Sequence, residues 1–237
     1  AAATFRYFAA VAETSDDLLT VPRGDYITAS VHEPLGLVAA ITPWNSPIAS
    51  DAQKIAPALA AGNAVLLKPA SWSPLVSLEL AQIAEEAGLP QGLLSVLPGS
   101  GREVGNLLVE HRDIAKVSFT GGTATGRRLA HAAAEKLMPV SLELGGKSPT
   151  IVFEDCDIDL AIAGILFGIF SSSGQSCIAG SRLFVQRSIY DTFTERLVAA
   201  TQALVVGHPF DAATQVSSLV HHDHRESVER YVAMSRD

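Results

Sequence analysis

Lys116-Val117-Ser118-Phe119-Thr120-Gly121-Gly122-Thr123-Ala124-Thr125-Gly126 sets a short apolar run against a glycine turn, and the residues that follow read as a helix. A strand that runs through glycines into a helix leaves free backbone amides and a positive helix end beside a place where a phosphate can sit. A tight turn that merely needs glycine accounts for the same residues. The surroundings therefore have to decide.

Upstream, residues 36–41 and 63–67 are apolar runs of strand length, with a helical stretch over 50–61 between them that ends at Gly62. A second helix is expected over 74–87, with Gly88 at its end, then strands over 93–97 and 116–119. Alternation of short apolar runs with amphipathic helices from 36 to 140 predicts a parallel sheet covered by helices, a Rossmann-like α/β unit. Pro98-Gly99-Ser100-Gly101-Arg102-Glu103-Val104-Gly105 approaches a dinucleotide fingerprint, its last glycine one position late. The opening residues 4–8 read as a helix. Beyond Pro149 the pattern restarts with strand 150–153, helix 157–170, strand 182–185 and helix 189–203. The expected division is thus a dinucleotide-binding domain over 1–146 and the first part of an α/β catalytic domain over 147–237, with no internal repeat.

Composition narrows the functions. Of 237 residues 48% are hydrophobic, which suffices for one sizeable core or two smaller ones. A net charge of −8 without any lysine or arginine block opposes nucleic acid and anionic membrane as partners. The apolar stretch 161–170 is far shorter than the roughly 20 residues of a membrane span, and the start of the chain shows no signal-peptide pattern. Two cysteines, Cys156 and Cys177, are too few for a disulfide framework, so a reducing compartment, by default the cytoplasm, is expected.

Three stretches carry chemistry. Gly174-Gln175-Ser176-Cys177-Ile178-Ala179-Gly180-Ser181-Arg182 places a cysteine among small and polar residues, where a thiolate is accessible as a nucleophile. Leu142-Glu143-Leu144-Gly145-Gly146-Lys147-Ser148-Pro149 holds an acid between leucines, and such an acid is expected to be part-buried, with desolvation making it a better base near neutral pH. Ile41-Thr42-Pro43-Trp44-Asn45-Ser46-Pro47 holds an amide between prolines, a candidate oxyanion donor. Read singly, each has a plain structural alternative: a packing thiol, a structural carboxylate, a turn asparagine. Cys156, among Glu154, Asp155 and Asp157, reads as inert. The run His221-His222-Asp223-His224 suggests metal, but adjacent ligands are expected to point apart and no second cluster completes a site, so a solvated helix start is preferred and no metal is expected.

With these three stretches in this order, and with Leu67-Lys68-Pro69-Ala70 and Phe119 to Gly126 between them, the chain resembles the aldehyde dehydrogenase superfamily over essentially its whole length. The resemblance implies NAD or NADP as cofactor and a small-molecule aldehyde as substrate. Its catalytic set falls on Cys177, Glu143, Asn45 and Lys68. Its cofactor contacts fall on Ile41, Thr42, Trp44, Lys68, Ser71, Gly101, Gly105, Gly121, Gly122, Thr123, Gly126 and Leu144, with Gly101 and Gly105 packing backbone beside the adenine pocket. Cys177 would add to the aldehyde, the oxyanion would sit between the Asn45 amide and the Cys177 N–H, hydride would pass to the nicotinamide, and Glu143 would activate the water that releases the acid.

Two departures stand out. Ser71 occupies the place of a glutamate that binds the ribose hydroxyls, which with Lys68 adjacent should ease use of the 2′-phosphorylated cofactor. Gly122 occupies the place of a serine that reaches the pyrophosphate. Glu143 favours hydrolysis over acyl transfer, and Ile178 and Phe170 suggest an apolar substrate mouth. Family members are about twice as long and are expected as homodimers or homotetramers, so the chain reads as truncated at both ends. The alternatives are an inactive or structural fragment of the same fold, or a cofactor-independent thiol esterase, which would need a histidine partner for Cys177.

Overall fold

The apolar runs become strands because β-branched and leucine residues fill a surface covered on both faces, and glycines or prolines at their ends stop them. The computed structural model describes residues 1–236. In chain order the elements are α1 (Ala2–Thr14), β1 (Leu18–Leu19), β2 (Ala29–Ser30), β3 (Leu37–Ile41), α2 (Pro47–Ala60), β4 (Ala64–Lys68), α3 (Leu75–Glu86) and β5 (Leu94–Val96). A π-helical turn, Gly101–Gly105, then leads into α4 (Asn106–Glu110), followed by β6 (Ile114–Gly121), α5 (Thr123–Glu135) and β7 (Val140–Leu144). The chain divides after Glu143 into two compact units.

The first unit is built on a five-stranded sheet of order β5-β4-β3-β6-β7, in which β3 pairs in parallel with both β4 and β6. The chain winds outward from β3 through α2 and α3 to β5, then returns to the other side of β3 at β6. The order therefore reverses between β3 and β6, the place where open α/β sheets form a ligand crevice at the strand C-termini. Ala40, Ile55, Val65, Leu67 and Leu80 form the core under α2 and α3, with Phe5, Leu59, Leu94 and Val96 against them. Asn63 fastens the turn between α2 and β4: its Oδ1 accepts from Gly36 N at 3.0 Å and its Nδ2 donates to Ala58 O at 3.0 Å.

The second unit carries β8 (Pro149–Val152), α6 (Ile158–Phe170), a short turn Ser171–Gly174, β9 (Arg182–Val185), α7 (Tyr190–Gln202) and α8 (His222–Met234). β8 and β9 pair in parallel from Pro149↔Arg182 to Val152↔Val185. Asp157 caps α6 by accepting from Leu160 N at 3.0 Å, so the helix starts one residue later than the sequence reading. Val152, Ile162 and Phe193 bury the seam between β8, α6 and α7. Among the described residues no helix is long and apolar enough to cross a membrane.

Candidate active site

The reversal point of the first unit is flanked by two loops. One leaves β3 as Thr42-Pro43-Trp44-Asn45; the other leaves β6 as Gly121-Gly122 and enters α5. Ile41 and Thr42 are buried, and Thr42 N donates to Lys68 O at 3.1 Å, carrying the β3–β4 ladder one residue past the strands. Trp44 lies against Trp72, ring centroids 5.7 Å apart, and Asn45 is half-buried. A Cβ on Gly121 would come within 2.5 Å of the Phe119 ring, so a larger residue would have to displace that buried ring. Gly122 is the N-cap of α5, has no capping side chain, and has open space where a Cβ would stand. Gly126 is buried in the next turn, where its N–H donates to Gly122 O at 3.0 Å, and Thr123 is exposed.

Lys68 is buried, not solvated: 3% exposed, its Nζ donates to Pro69 O at 2.6 Å, and burial pulls its ammonium below the usual lysine range. Gly105 is also buried and lies beside the Lys68 stem, where a Cβ would make only ordinary contact, 3.8 Å from Lys68 Cδ. Gly101 differs from the expectation of close backbone packing, because nothing stands within 4 Å of a Cβ there. Ser71 is exposed, and its hydroxyl donates to Gly99 O at 3.0 Å, tying the end of β4 to the glycine loop after β5.

Glu143 corrects the sequence reading. It is exposed, because β7 is an edge strand whose residues alternate, and the half-buried Leu142 and Leu144 point to the face opposite Glu143. The expected part-burial of this acid is not found. A residue the sequence reading missed lies near it instead. Lys54 of α2 is half-buried and donates from Nζ to Ser118 Oγ at 3.0 Å; burial lowers its pKa, and the Glu143 carboxylate pulls it back up.

Asp51, one turn earlier, was missed as well. It is fully buried, accepts a 2.6 Å hydrogen bond from the Ser77 hydroxyl, and has its carboxyl pushed above 3.8 by burial, against the opposing effect of the Ser77 and Thr42 hydroxyls. The Thr42 hydroxyl faces the carboxylate without closing a hydrogen bond. The signal was in the sequence: Asp51 and Ile55 are four apart, so a charge shares the apolar face of its helix.

In the second unit Cys177 is exposed, as a reacting thiol requires, and so is its neighbour Ile178. The glycine stretch reaches this loop directly. A Cβ on Gly146 would lie 2.9 Å from the Cys177 carbonyl oxygen, Arg182 Nε donates to Lys147 O at 2.8 Å, and Arg182 N donates to Ser148 O at 3.3 Å. Leu144, first residue of this unit, is half-buried. Cys156 is half-buried against the apolar seam.

The histidine run also departs from expectation. His221, His222 and Asp223 bring one candidate ligand atom each within 4.8 Å of the others, so adjacent ligands do converge here. The reason is the helix start. His221 is the N-cap, accepting from Asp223 N at 3.3 Å, and the turn folds the Asp223 carboxylate onto both rings, 3.5 Å from His221 Nδ1 and 2.7 Å from His222 Nε2. These contacts satisfy the cluster from within.

Comparison with known proteins agrees with the fold. The chain is 45% identical over 228 residues to a betaine aldehyde dehydrogenase of Rhizobium johnstonii, covering 96% of this chain and 47% of that protein. PnpE from Pseudomonas sp. WBC-3 superposes with a TM-score of 0.95 at 40% identity, covering 99% of this chain and 48% of that one. The NAD+ complex of Staphylococcus aureus betaine aldehyde dehydrogenase gives 0.94 at 38%, covering 97% and 46%. The chain spans about half the length of the curated relatives it matches. The family model described as the aldehyde dehydrogenase family matches residues 1–237, and the chain belongs to that family.

Proposed function

We propose that the protein carrying this chain oxidises an aldehyde to a carboxylic acid with a nicotinamide dinucleotide, through a thioester on Cys177. The observation that carries the reading is the exposed Cys177 held against Gly146 in a chain of this family. The first unit serves as the cofactor domain and the second carries the nucleophile.

The residues fit a dinucleotide. The first-turn amides of α5 have no side-chain cap, the space beside Gly122 is open, and the Gly121 turn lies at the reversal point of the sheet. Gly121, Gly122, Thr123 and Gly126 would hold the phosphates; Lys68 and Ser71 the adenosine ribose; Ile41, Thr42, Trp44 and Leu144 the remainder, with Gly105 packed beside Lys68. Bound there, the cofactor supplies a hydride acceptor. Relatives bearing the name betaine aldehyde dehydrogenase and the S. aureus NAD+ complex support that class. Ser71 brings no carboxylate to repel a 2′-phosphate, so NADP is accepted beside NAD.

Cys177 Sγ adds to the aldehyde carbon. The developing oxyanion takes hydrogen bonds from the Asn45 amide and the Cys177 N–H, donors of a kind worth about 3–4 kcal/mol. Glu143, open to water, removes a proton from the water that attacks the thioester, and the acid leaves as the thiol is restored. Lys54, half-buried on α2 and electrostatically coupled to Glu143, lies near this acid. The two free cysteines suit a reducing compartment such as the cytoplasm, and we expect a homodimer or homotetramer. The test is formation of reduced nicotinamide from a panel of aldehydes by the protein and by Cys177→Ala. Loss of all turnover is expected, and turnover retained in the variant would defeat the covalent route.

A further inference from the structure

Three consecutive residues ahead of the candidate nucleophile adopt the left-handed region. Ser172 has φ 52° and ψ 31°, Ser173 has φ 55° and ψ 35°, and Gly174 has φ 74°. Glycine visits this region freely, whereas serine meets a clash between Cβ and its own backbone. Two strained serines in succession persist only where their surroundings hold them.

The holding contacts come from a segment more than forty residues further on. The Ser173 hydroxyl donates to Ser217 O at 3.0 Å and accepts from Ser217 N at 3.2 Å, so one side chain engages both backbone groups of one residue. Val220 N donates to Gln175 Oε1 at 2.9 Å. From the near side, Gln175 N and Nε2 both donate to Ser172 O, at 3.1 and 3.0 Å. Gln175 lies two residues before Cys177. The direction in which the chain leaves the left-handed turn therefore sets where the thiol and its N–H point, and the Gly146 contact fixes the same loop beyond the turn.

We propose that Ser173, through the backbone of Ser217, is a positioning residue that latches the strained turn and gives Cys177 a single presentation. The functional weight of this rests on the reading of Cys177 as nucleophile; the latch itself does not.

The test uses the chain with Cys156→Ala, Cys177 alkylated with bromotrifluoroacetone, and fluorine NMR well below the melting temperature. One narrow resonance is expected with Ser173 intact. Ser173→Ala is expected to split or broaden it and to speed amide exchange over residues 175–177 about five- to tenfold, the effect of one lost hydrogen bond. Ser173→Gly, which deletes the hydroxyl while admitting positive φ, is expected to do the same without risk to folding. Ser173→Asn, whose amide both donates and accepts and which tolerates this region, is expected to restore the single line. Ser217→Ala leaves the backbone partner in place, removes only the longer hydroxyl contact at 3.4 Å, and is expected to change both readouts less than Ser173→Ala does. A single narrow line with unchanged exchange in Ser173→Ala and Ser173→Gly overturns the proposal, as does equal splitting in Ser217→Ala. Neither readout needs aldehyde or cofactor, so loss of the latch and loss of the catalytic reading are told apart.

Discussion

Gly146→Ala tests whether the glycine stretch fixes the loop of the proposed nucleophile by steric contact. A Cβ on Gly146 would sit 2.9 Å from the Cys177 carbonyl oxygen, and ordinary contact begins at 3.4 Å, so the two must separate by about 0.5 Å. The opposing atom is backbone and cannot swing aside as a side chain would. The movement falls on Cys177 itself. If a displacement of about 1 Å in a reacting group costs on the order of a hundredfold in rate, half of that costs on the order of tenfold, or about 1.4 kcal/mol of barrier. The neighbouring glycine supplies the control, because nothing lies within 4 Å of a Cβ on Gly145 and neither residue has positive φ. Gly145→Ala should keep turnover within about twofold and add about 0.4–1 kcal/mol of stability through the unfolded state. Gly146→Ala receives the same unfolded-state term and loses about 1–3 kcal/mol to overpacking, a net fall in melting temperature of a few degrees. Initial rates at saturating aldehyde and cofactor, with thermal melts of both variants, read the difference. Equal rates in the two variants would refute the reasoning, and so would a loss in Gly145→Ala as large as that in Gly146→Ala.

Three further outcomes follow from the first unit. Burial holds the Asp51 carboxyl above the 3.8 of its unfolded state, so as pH rises from 3.8 to the folded value the unfolded chain gives up its proton first and stability falls, then levels off. Asp51→Asn keeps an acceptor for Ser77 and cannot ionise, so its stability in denaturant relative to the parent should grow across that window; a relative decline with rising pH would contradict the buried acid. Gly122→Ser meets open space at the N-cap of α5 and should add a few tenths of a kcal/mol and tighten NAD binding several-fold, measured by calorimetric titration. Ser71→Glu should lower NADP kcat/KM at least tenfold while sparing NAD, and equal loss with both cofactors would remove Ser71 from specificity.

The sequence was most legible where a local rule acted alone. Glycine turns and apolar runs placed β3, β4, β6, β8 and β9 within two residues of their observed ends, and the turn at Gly121 pointed to the reversal of the sheet because strand, glycine and helix are neighbours in the chain. Reading failed where an environment was inferred from adjacent residues. Leu142 and Leu144 suggested a part-buried Glu143, yet in a strand the residues on either side point to the opposite face, so their half-burial argues for exposure of the acid between them. Helical spacing has the reverse consequence. Asp51 shares a face with Ile55, and that relation, four positions long, foretold a buried charge that its immediate neighbours concealed.

The left-handed turn at Ser172 and Ser173 belongs to a third kind, since nothing local to two serines favours positive φ and the contacts that hold them come from residues 217–220. The presence of an exposed thiol among small residues is therefore a local fact of the sequence. Its aim depends on backbone contacts made from far along the chain and from Gly146, which is why loop variants away from the thiol are expected to change its chemistry.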